Sequence, residues 1–597
     1  MNLYTKRVDC LRESMKSRGI DYYVIPTGDY HMSEYASEYF GFRKWLSGFT
    51  GSAGTLLVTL DHAYLWTDGR YFIQAERQLE GSGIVLMRTG DAGVPDLDTF
   101  LKKELKKGQT LGFDGKCVSL REGELYQKIA EENGAFIDYD HDLSQDVWTE
   151  GRPGLPEDSA WILDVKWAGE SRESKVNRVF EKLKELGADS QVLTSLDDIA
   201  WLLNVRGNDV PNNPVVLSYV LLENGKVKWY VNEAKVSEEV RNCLKDLAEI
   251  YPYNQIYEDV KHLTGTVQID PGKVNFALYR HVKGKVLLAE NPELMMKAVK
   301  NDTEIKNLKK AHLYDGVALT KFIYWLKKTV KEREITEWDA TEKLEELRRA
   351  HPHCLDLSFP SIGAYNANAA MMHYSASKEN AAVLHPEGMY LIDSGGQYYE
   401  GTTDVTRTVV LGKIPAEWKR NYSLVLKGHL RLAMAKFLYG CRGTSLDILT
   451  RGPLWDLGID YKCGTGHGVG YLLNVHEAPN GFRWRIVPER NDSCVLEANM
   501  VTTDEPGVYI EGSHGIRIEN ELVSRNLEKN EYGQFMGFEI ITLAPIDRKG
   551  IDPKYLSDAE LNFLNRYHAA VYRKLERYMT KEERAWLKKE TAPIKRR

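Results

Sequence analysis

Two segments place carboxylates where a β-hairpin would force them together. In Met389-Tyr390-Leu391-Ile392-Asp393-Ser394-Gly395-Gly396-Gln397-Tyr398-Tyr399-Glu400-Gly401-Thr402-Thr403-Asp404-Val405-Thr406, two β-rich runs flank a glycine-containing turn. Folding symmetrically about Tyr398 and Tyr399 would set Asp393 opposite Asp404. In the second segment, Thr503-Asp504-Glu505-Pro506-Gly507 and Gly515-Ile516-Arg517-Ile518-Glu519-Asn520 flank Gly512, so Glu505 would face Glu519. Alternation puts Ile516 and Ile518 on one face of the return strand and Arg517, Glu519 and Glu521 on the other. Opposed like charges destabilise a strand pair, and a bound cation turns that repulsion into ligation. One such hairpin is usually a solvated edge. Two of the same design between residues 393 and 519 argue for metal chemistry.

Between them lies Gly464-Thr465-Gly466-His467-Gly468-Val469-Gly470, followed by Val475-His476-Glu477. The glycine run lacks the Gly-Lys-Ser/Thr of a phosphate loop and the spacing of a dinucleotide fingerprint, and His476-Glu477-Ala478-Pro479 is not the His-Glu-x-x-His zinc motif. A lone histidine is more often a satisfied core residue than a ligand. Glycine on both sides of His467, however, suits a backbone brought close to something bulky or charged. Four carboxylates and one imidazole suit two divalent ions, Mn²⁺ first, with Zn²⁺ and Co²⁺ as alternatives. Two ions about 3.5–4 Å apart would bring the pKa of water from 15.7 towards about 7.

The elements that must carry these residues are legible in outline. A helix through Leu11 and Met15 precedes strands at 21–26, 54–59 and 63–67, and the breaker cluster Gly151-Arg152-Pro153-Gly154-Leu155-Pro156 closes the first region. A helix over 174–186, a strand over 191–194 and a hairpin of 215–222 with 226–231 about Asn224-Gly225 then repeat the order coarsely, predicting two domains of one α/β fold. A long helix starts at an Asn301-Asp302-Thr303 cap and runs to about Lys331, and another starts at the Thr336 capping box. A third has Pro415 at its first position and continues to about Leu438. Capping boxes at Ser557 and Thr580 mark a terminal helix pair, read as a structural appendage.

Composition excludes several classes. The 597 residues imply several domains. The 62 aromatic residues (13 Trp, 33 Tyr, 16 Phe) exclude dominant disorder. A net charge of −7 gives no case for nucleic-acid or anionic-membrane binding. Mean hydropathy is −0.43 and no apolar run reaches the ~18 residues of a span, so no membrane partner is expected. Seven scattered cysteines without a CxxC pair argue against a disulfide scaffold. With no apolar segment behind the basic N-terminal residues, a cytoplasmic location is expected.

With these residues in order, the chain resembles the pita-bread metallopeptidases, and among them the long, three-domain Xaa-Pro aminopeptidases (aminopeptidase P). The resemblance rests on IDSGGQYYEGTTDVTRT, GTGHGVG, NVHEAPN, TDEPGVY and GIRIEN. Residues 49–55 and 66–71 resemble the family's N-terminal domain, and 535–547 its C-terminal extension. It implies two creatinase-like α/β domains (1–156 and 157–302), then an α+β pita-bread domain (303–597) with a C-terminal helical extension from about residue 531. It also implies metal ligation by Asp393, Asp404, His467, Glu505 and Glu519, with Glu505 handling protons. His373 and His476 would line the scissile bond, with Tyr509 and Arg517 near the substrate; alternatively, Tyr509 only packs and Arg517 only neutralises carboxylates. Cys463 departs from the family, whose long members often carry histidine there. The implied activity releases the N-terminal residue from peptides with proline second, by a homodimer joined through its C-terminal region. Two alternatives stand beside it. A prolidase would cleave only dipeptides, against which the extra middle domain speaks. A binding module on the same fold would have lost metal ligands, and this chain has all five.

Overall fold

The computed structural model describes residues 2–487 and 490–596. Two compact units emerge: residues 1–165 with 170–293, and 166–169 with 294–597.

The first unit contains two six-stranded sheets of the same topology. Strands Tyr22–Pro26, Thr55–Thr59, Ala63–Thr67, Val85–Arg88, Thr110–Phe113 and Phe136–Asp138 lie in the order fourth, third, second, first, fifth, sixth. Ser190–Leu193, Ser218–Glu223, Lys226–Val231, Ala248–Pro252, Thr266–Ile269 and Lys285–Leu288 repeat that order. In both, the first strand runs antiparallel to the second and parallel to the fifth. The expected repeat is therefore real. Asn224 and Gly225 take positive φ (52° and 75°), the left-handed turn that joins the second hairpin. One core joins the sheets, with Val24, Leu111 and Phe113 of the first packed with Val192, Val267 and Ile269 of the second. At Gly123 a Cβ would lie 2.3 Å from the Phe276 ring, so only glycine lets helix Leu120–Asn133 approach there.

In the second unit, helix Asp302–Thr329 starts at an Asn301/Glu304 capping box, and Glu337–Arg349 at a Thr336/Asp339 box. A three-stranded sheet pairs Met389–Ser394 with Ile362–Tyr365 and Val405–Val410. A six-stranded sheet runs in the order Lys436–Leu438, Gly533–Ile540, Asn520–Asn530, Val501–Asp504, Gly466–Gly468, Glu477–Phe482.

Three expectations are corrected here. Pro415 is the cap rather than the first helical residue, and its helix, Ala416–Ala433, ends before Leu438. Residues Lys436–Leu438 instead pair with Phe535–Gly537, burying Phe437 beside Phe482 and Met536. Sheet pairing and core burial outweigh the weak local preference for helix. Nor are the terminal helices an appendage. Helices Asp558–Leu575 and Lys581–Glu590 do begin at the Ser557 and Thr580 boxes, but Leu564, Tyr567 and Val571 lie in the same core as Val508, Ile516 and Ile518. The third correction concerns the first carboxylate hairpin.

Candidate metal centre

That hairpin pairs Gln397 with Thr402 and Tyr398 with Gly401, so Tyr399 and Glu400 form the turn. Gly401, at φ 127°, supplies the conformation that places the reversal there. Asp393 consequently pairs with Thr406 rather than Asp404, which sits just before its strand. The carboxylates are diagonal neighbours, not opposed ones. The second hairpin keeps the expected register: Gly507 pairs with Arg517 and Tyr509 with Gly515 about Gly512 (φ 70°). The same register resumes where Asp504 pairs with Asn520, leaving Glu505 and Glu519 facing each other in between.

These elements converge. Ligand atoms of Asp404, His467 and Glu519 lie within 4.8 Å of one another. His467 Nε2 is 3.4 Å from both Asp404 Oδ2 and Glu505 Oε1. Asp393 joins the group through Arg517, whose Nη2 donates to Asp393 Oδ2 at 2.6 Å. Four of the five ligand candidates are also tied to neighbouring groups. The Thr406 hydroxyl donates to Glu519 Oε2 (2.7 Å), Thr503 Oγ1 to Glu505 Oε1 (3.2 Å), and the Asp404 N–H to Glu521 Oε1 (2.8 Å). His467 Nδ1 lies 2.8 Å from the Gly468 carbonyl, to which it can only donate, so Nε2 is the nitrogen turned towards the carboxylates. Glycine is required beside it: a Cβ at Gly466 would lie 1.8 Å from the Thr503 carbonyl.

Four carboxylates stand against one guanidinium. Burial raises the pKa of Asp404 and Glu519 well above the ordinary range, and repulsion from the neighbouring carboxylates raises both further. Glu505 is raised too, by desolvation first, with His467 and Arg517 pulling it down. Asp393 Oδ1 and Asp404 Oδ1 are buried and meet no hydrogen-bond donor. Charge crowding, orphaned acceptors and a lone imidazole nitrogen together fit divalent cations, and an all-protein set of donors does not supply them.

The remaining predicted residues surround this cluster. The His476 ring meets the His467 ring edge-on, 4.3 Å between centroids. His373 is partly exposed and follows Met372, whose carbonyl accepts from Arg517 Nη2 at 3.4 Å. Arg517 Nη1 donates to the Tyr509 hydroxyl at 2.7 Å. Cys463 is half-buried in the core beside Tyr509, its thiol pushed up to about 11 by burial first and then by Glu505. Sequence reasoning gave no role to Glu521 or to His312, whose Nε2 lies 3.0 Å from Glu521 Oε2. The alternation from Arg517 through Glu519 already pointed Glu521 inwards, whereas His312, on a distant helix, left no local signal.

Comparison with known proteins places the chain in a family. Residues 306–526 match the metallopeptidase family M24, 534–594 its C-terminal region, and 7–145 and 151–304 two creatinase/prolidase N-terminal domains. Fold and site thus define a creatinase-type metallopeptidase. "Probable Xaa-Pro aminopeptidase P" of Paracoccidioides brasiliensis is 38% identical over 99% of both chains, and "Xaa-Pro aminopeptidase 1" of Dictyostelium discoideum 38% identical over 99% of this chain and 96% of its own. The crystal structure of X-prolyl aminopeptidase from Caenorhabditis elegans, described as a cytosolic enzyme with a di-nuclear active site, superposes with a TM-score of 0.94. It is 34% identical, with both chains fully covered. The chain belongs to the Xaa-Pro aminopeptidase P family.

Proposed function

We propose that this chain is an Xaa-Pro aminopeptidase that releases the N-terminal residue from peptides with proline second. The observation that carries the reading is the assembly of one acceptor-rich cluster from side chains spread over residues 393–519, in a chain related over its full length to enzymes of that name. In this reading Asp393, Asp404, His467, Glu505 and Glu519 hold two divalent ions, Mn²⁺ suiting the carboxylate-dominated set best, with Zn²⁺ and Co²⁺ as alternatives. Bound there, the ions supply a lowered pKa for water and a polarised scissile carbonyl.

The chain's own residues do the rest. The scissile nitrogen belongs to the proline ring and carries no hydrogen, so recognition rests on the shape of the ring. Hydrolysis adds the oxygen of water to the carbonyl carbon and a proton to the proline nitrogen. Glu505, whose pKa burial raises, takes that proton from water and delivers it to the leaving nitrogen. His476 and His373 donate to the oxygen on which charge develops. Arg517 holds the Tyr509 hydroxyl and Asp393 in place, and both Tyr509 and Arg517 are read as lying near the substrate.

The proposed domain division is 1–156, 157–302 and 303–597, with a homodimer in the cytoplasm. The family matches and the breaker cluster at 151–156 support the division, and the cytosolic description of the Caenorhabditis elegans enzyme supports the location; the homodimer rests on the family resemblance alone. Metal analysis of the purified protein, joined to an assay on an Xaa-Pro-Xaa tripeptide, tests the function. Two divalent ions per chain and activity lost on chelation are expected. A metal-free protein with full activity would contradict the reading.

A further inference from the structure

Behind the candidate ligands runs a buried polar chain that the proposed chemistry does not use. Arg407, 1% exposed, directs Nη1 to the carbonyls of Thr406 (2.9 Å) and Glu519 (2.5 Å). Its Nη2 donates to Asn520 Oδ1 (2.8 Å), to the Ala544 carbonyl (2.9 Å) and to the Tyr567 hydroxyl (2.9 Å). That hydroxyl belongs to the C-terminal helix Asp558–Leu575 and itself donates to the Ala544 carbonyl at 2.8 Å. On the other side, Asn520 Nδ2 lies 2.9 Å from His429 Nε2, and His429 Nδ1 lies 3.0 Å from Asp504 Oδ2 and 3.1 Å from the Asp504 carbonyl. Asp504 immediately precedes Glu505, and Asn520 immediately follows Glu519. The chain therefore ties together, from the rear, the two strand ends that present the facing glutamates.

We propose that Tyr567 is a positioning residue for the metal centre, acting through Arg407 on the strand ends that carry Glu505 and Glu519. This rests on the reading of those glutamates as ligands. The argument is geometric. The fork of a guanidinium is planar and rigid, so five neutral acceptors around its two terminal nitrogens fix both its plane and its rotation. Two of the five are the carbonyls of Glu519 and of Thr406, and the Thr406 hydroxyl holds the Glu519 carboxylate. The two N–H groups of Nη2 share three acceptors, so removing the Tyr567 oxygen leaves Asn520 Oδ1 and the Ala544 carbonyl in place and takes away the one contact that ties the fork to the C-terminal helix. Nε still donates to the Pro545 carbonyl (3.2 Å), but the fork is held by one contact fewer, and the Glu519 carbonyl it grips shifts with it. Polar groups that orient metal ligands typically contribute 10–100-fold to affinity or activity. The C-terminal helix thus reaches the active centre through one hydroxyl, in addition to its apolar packing.

The test uses the full chain and Mn²⁺ as the probe. Tyr567→Phe keeps the ring in the core and removes only the oxygen. Chelator competition should show Mn²⁺ affinity weakened roughly ten-fold, and kcat on an Xaa-Pro-Xaa peptide lowered roughly ten-fold at saturating Mn²⁺, with KM within about two-fold. Val571→Ala, in the same helix and the same core, should lower Tm without moving Mn²⁺ affinity. Equal Mn²⁺ affinities for Tyr567→Phe and the unaltered chain would overturn the proposal, as would an affinity loss no larger than that of Val571→Ala. If Tyr567→Phe does not fold, Arg407→Lys, which keeps the charge and loses the fork through which Tyr567 acts, carries the same expectation and the same overturning result. An unaltered chain that binds no Mn²⁺ would sink the ligand assignment itself, an outcome separate from the failure of the positioning role.

Discussion

Asp404 shows most plainly what burial does to a carboxylate group. Its folded-state pKa lies above the unfolded value near 4, as does that of Glu519. The metal-free folded chain therefore holds protons that the unfolded chain has released. Its stability is unaffected below that unfolded value and falls as pH rises from about 4 through the folded values. Asp404→Asn removes one charge from the crowd, so the metal-free variant should lose less stability than the unaltered chain between pH 4.5 and 8, while turnover is abolished and bound metal falls. Thermal melts after chelation read the difference, and parallel curves with near-normal turnover would contradict the ligand assignment. His476 separates chemistry from packing in another way. As an oxyanion donor its replacement by alanine should lower kcat by roughly 10²–10³ with little loss of metal. A sharp fall in Tm with unchanged activity per folded molecule would make it a core residue instead.

At the scale of elements, the sequence displayed some features fully and misplaced others for physical reasons. The Gly512 hairpin was legible because a single glycine between alternating strands fixes the register, and the pairing continues on both sides of Glu505 and Glu519. The first hairpin was misplaced by one residue per strand because two tyrosines stood at the apparent centre, and the reversal follows the glycine at 401 instead. The helix ending at Ala433 stops where Lys436–Leu438 finds a sheet partner a hundred residues away, a long-range pairing no local pattern contains. Tyr567, Arg407 and His429 were invisible for the same reason: each is an ordinary residue on a periodic element until the fold brings them together. The terminal helices allow a direct check. Beyond Ser557, eight buried apolar side chains, from Leu561 to Ile594, join the core of the second unit. At about 1.5–3 kcal/mol each, their loss removes roughly 12–24 kcal/mol as an upper bound, comparable to or larger than the ~5–15 kcal/mol that holds a typical domain folded. A chain ending at residue 557 should therefore fail to give soluble, folded protein. Recovery of a truncated chain with unchanged Tm would restore the appendage reading.

Across the whole molecule, the first unit repeats one sheet topology twice around a shared core, while every residue proposed for chemistry lies in the second. The repeat was readable from sequence because hydrophobic alternation is a local signal, whereas the five proposed ligands came from the family resemblance, with the carboxylate hairpins as the local hint. Specificity for proline is the claim that no local signal carries, and it is the centre of the account. Three substrates decide it: an Xaa-Pro dipeptide, an Xaa-Pro-Xaa tripeptide and an Xaa-Ala-Xaa tripeptide of matched length, assayed with Mn²⁺. A prolidase must grip the free carboxylate of the second residue and would reject both tripeptides. A site open beyond the proline can use contacts on the leaving side in the transition state. The ring contributes apolar contact of about 1–3 kcal/mol, which sets the expected discrimination at ~10-fold or more. The account predicts that Xaa-Pro-Xaa is cleaved best and Xaa-Ala-Xaa at least ~10-fold more slowly. Equal kcat/KM on the two tripeptides, or activity confined to the dipeptide, would contradict it.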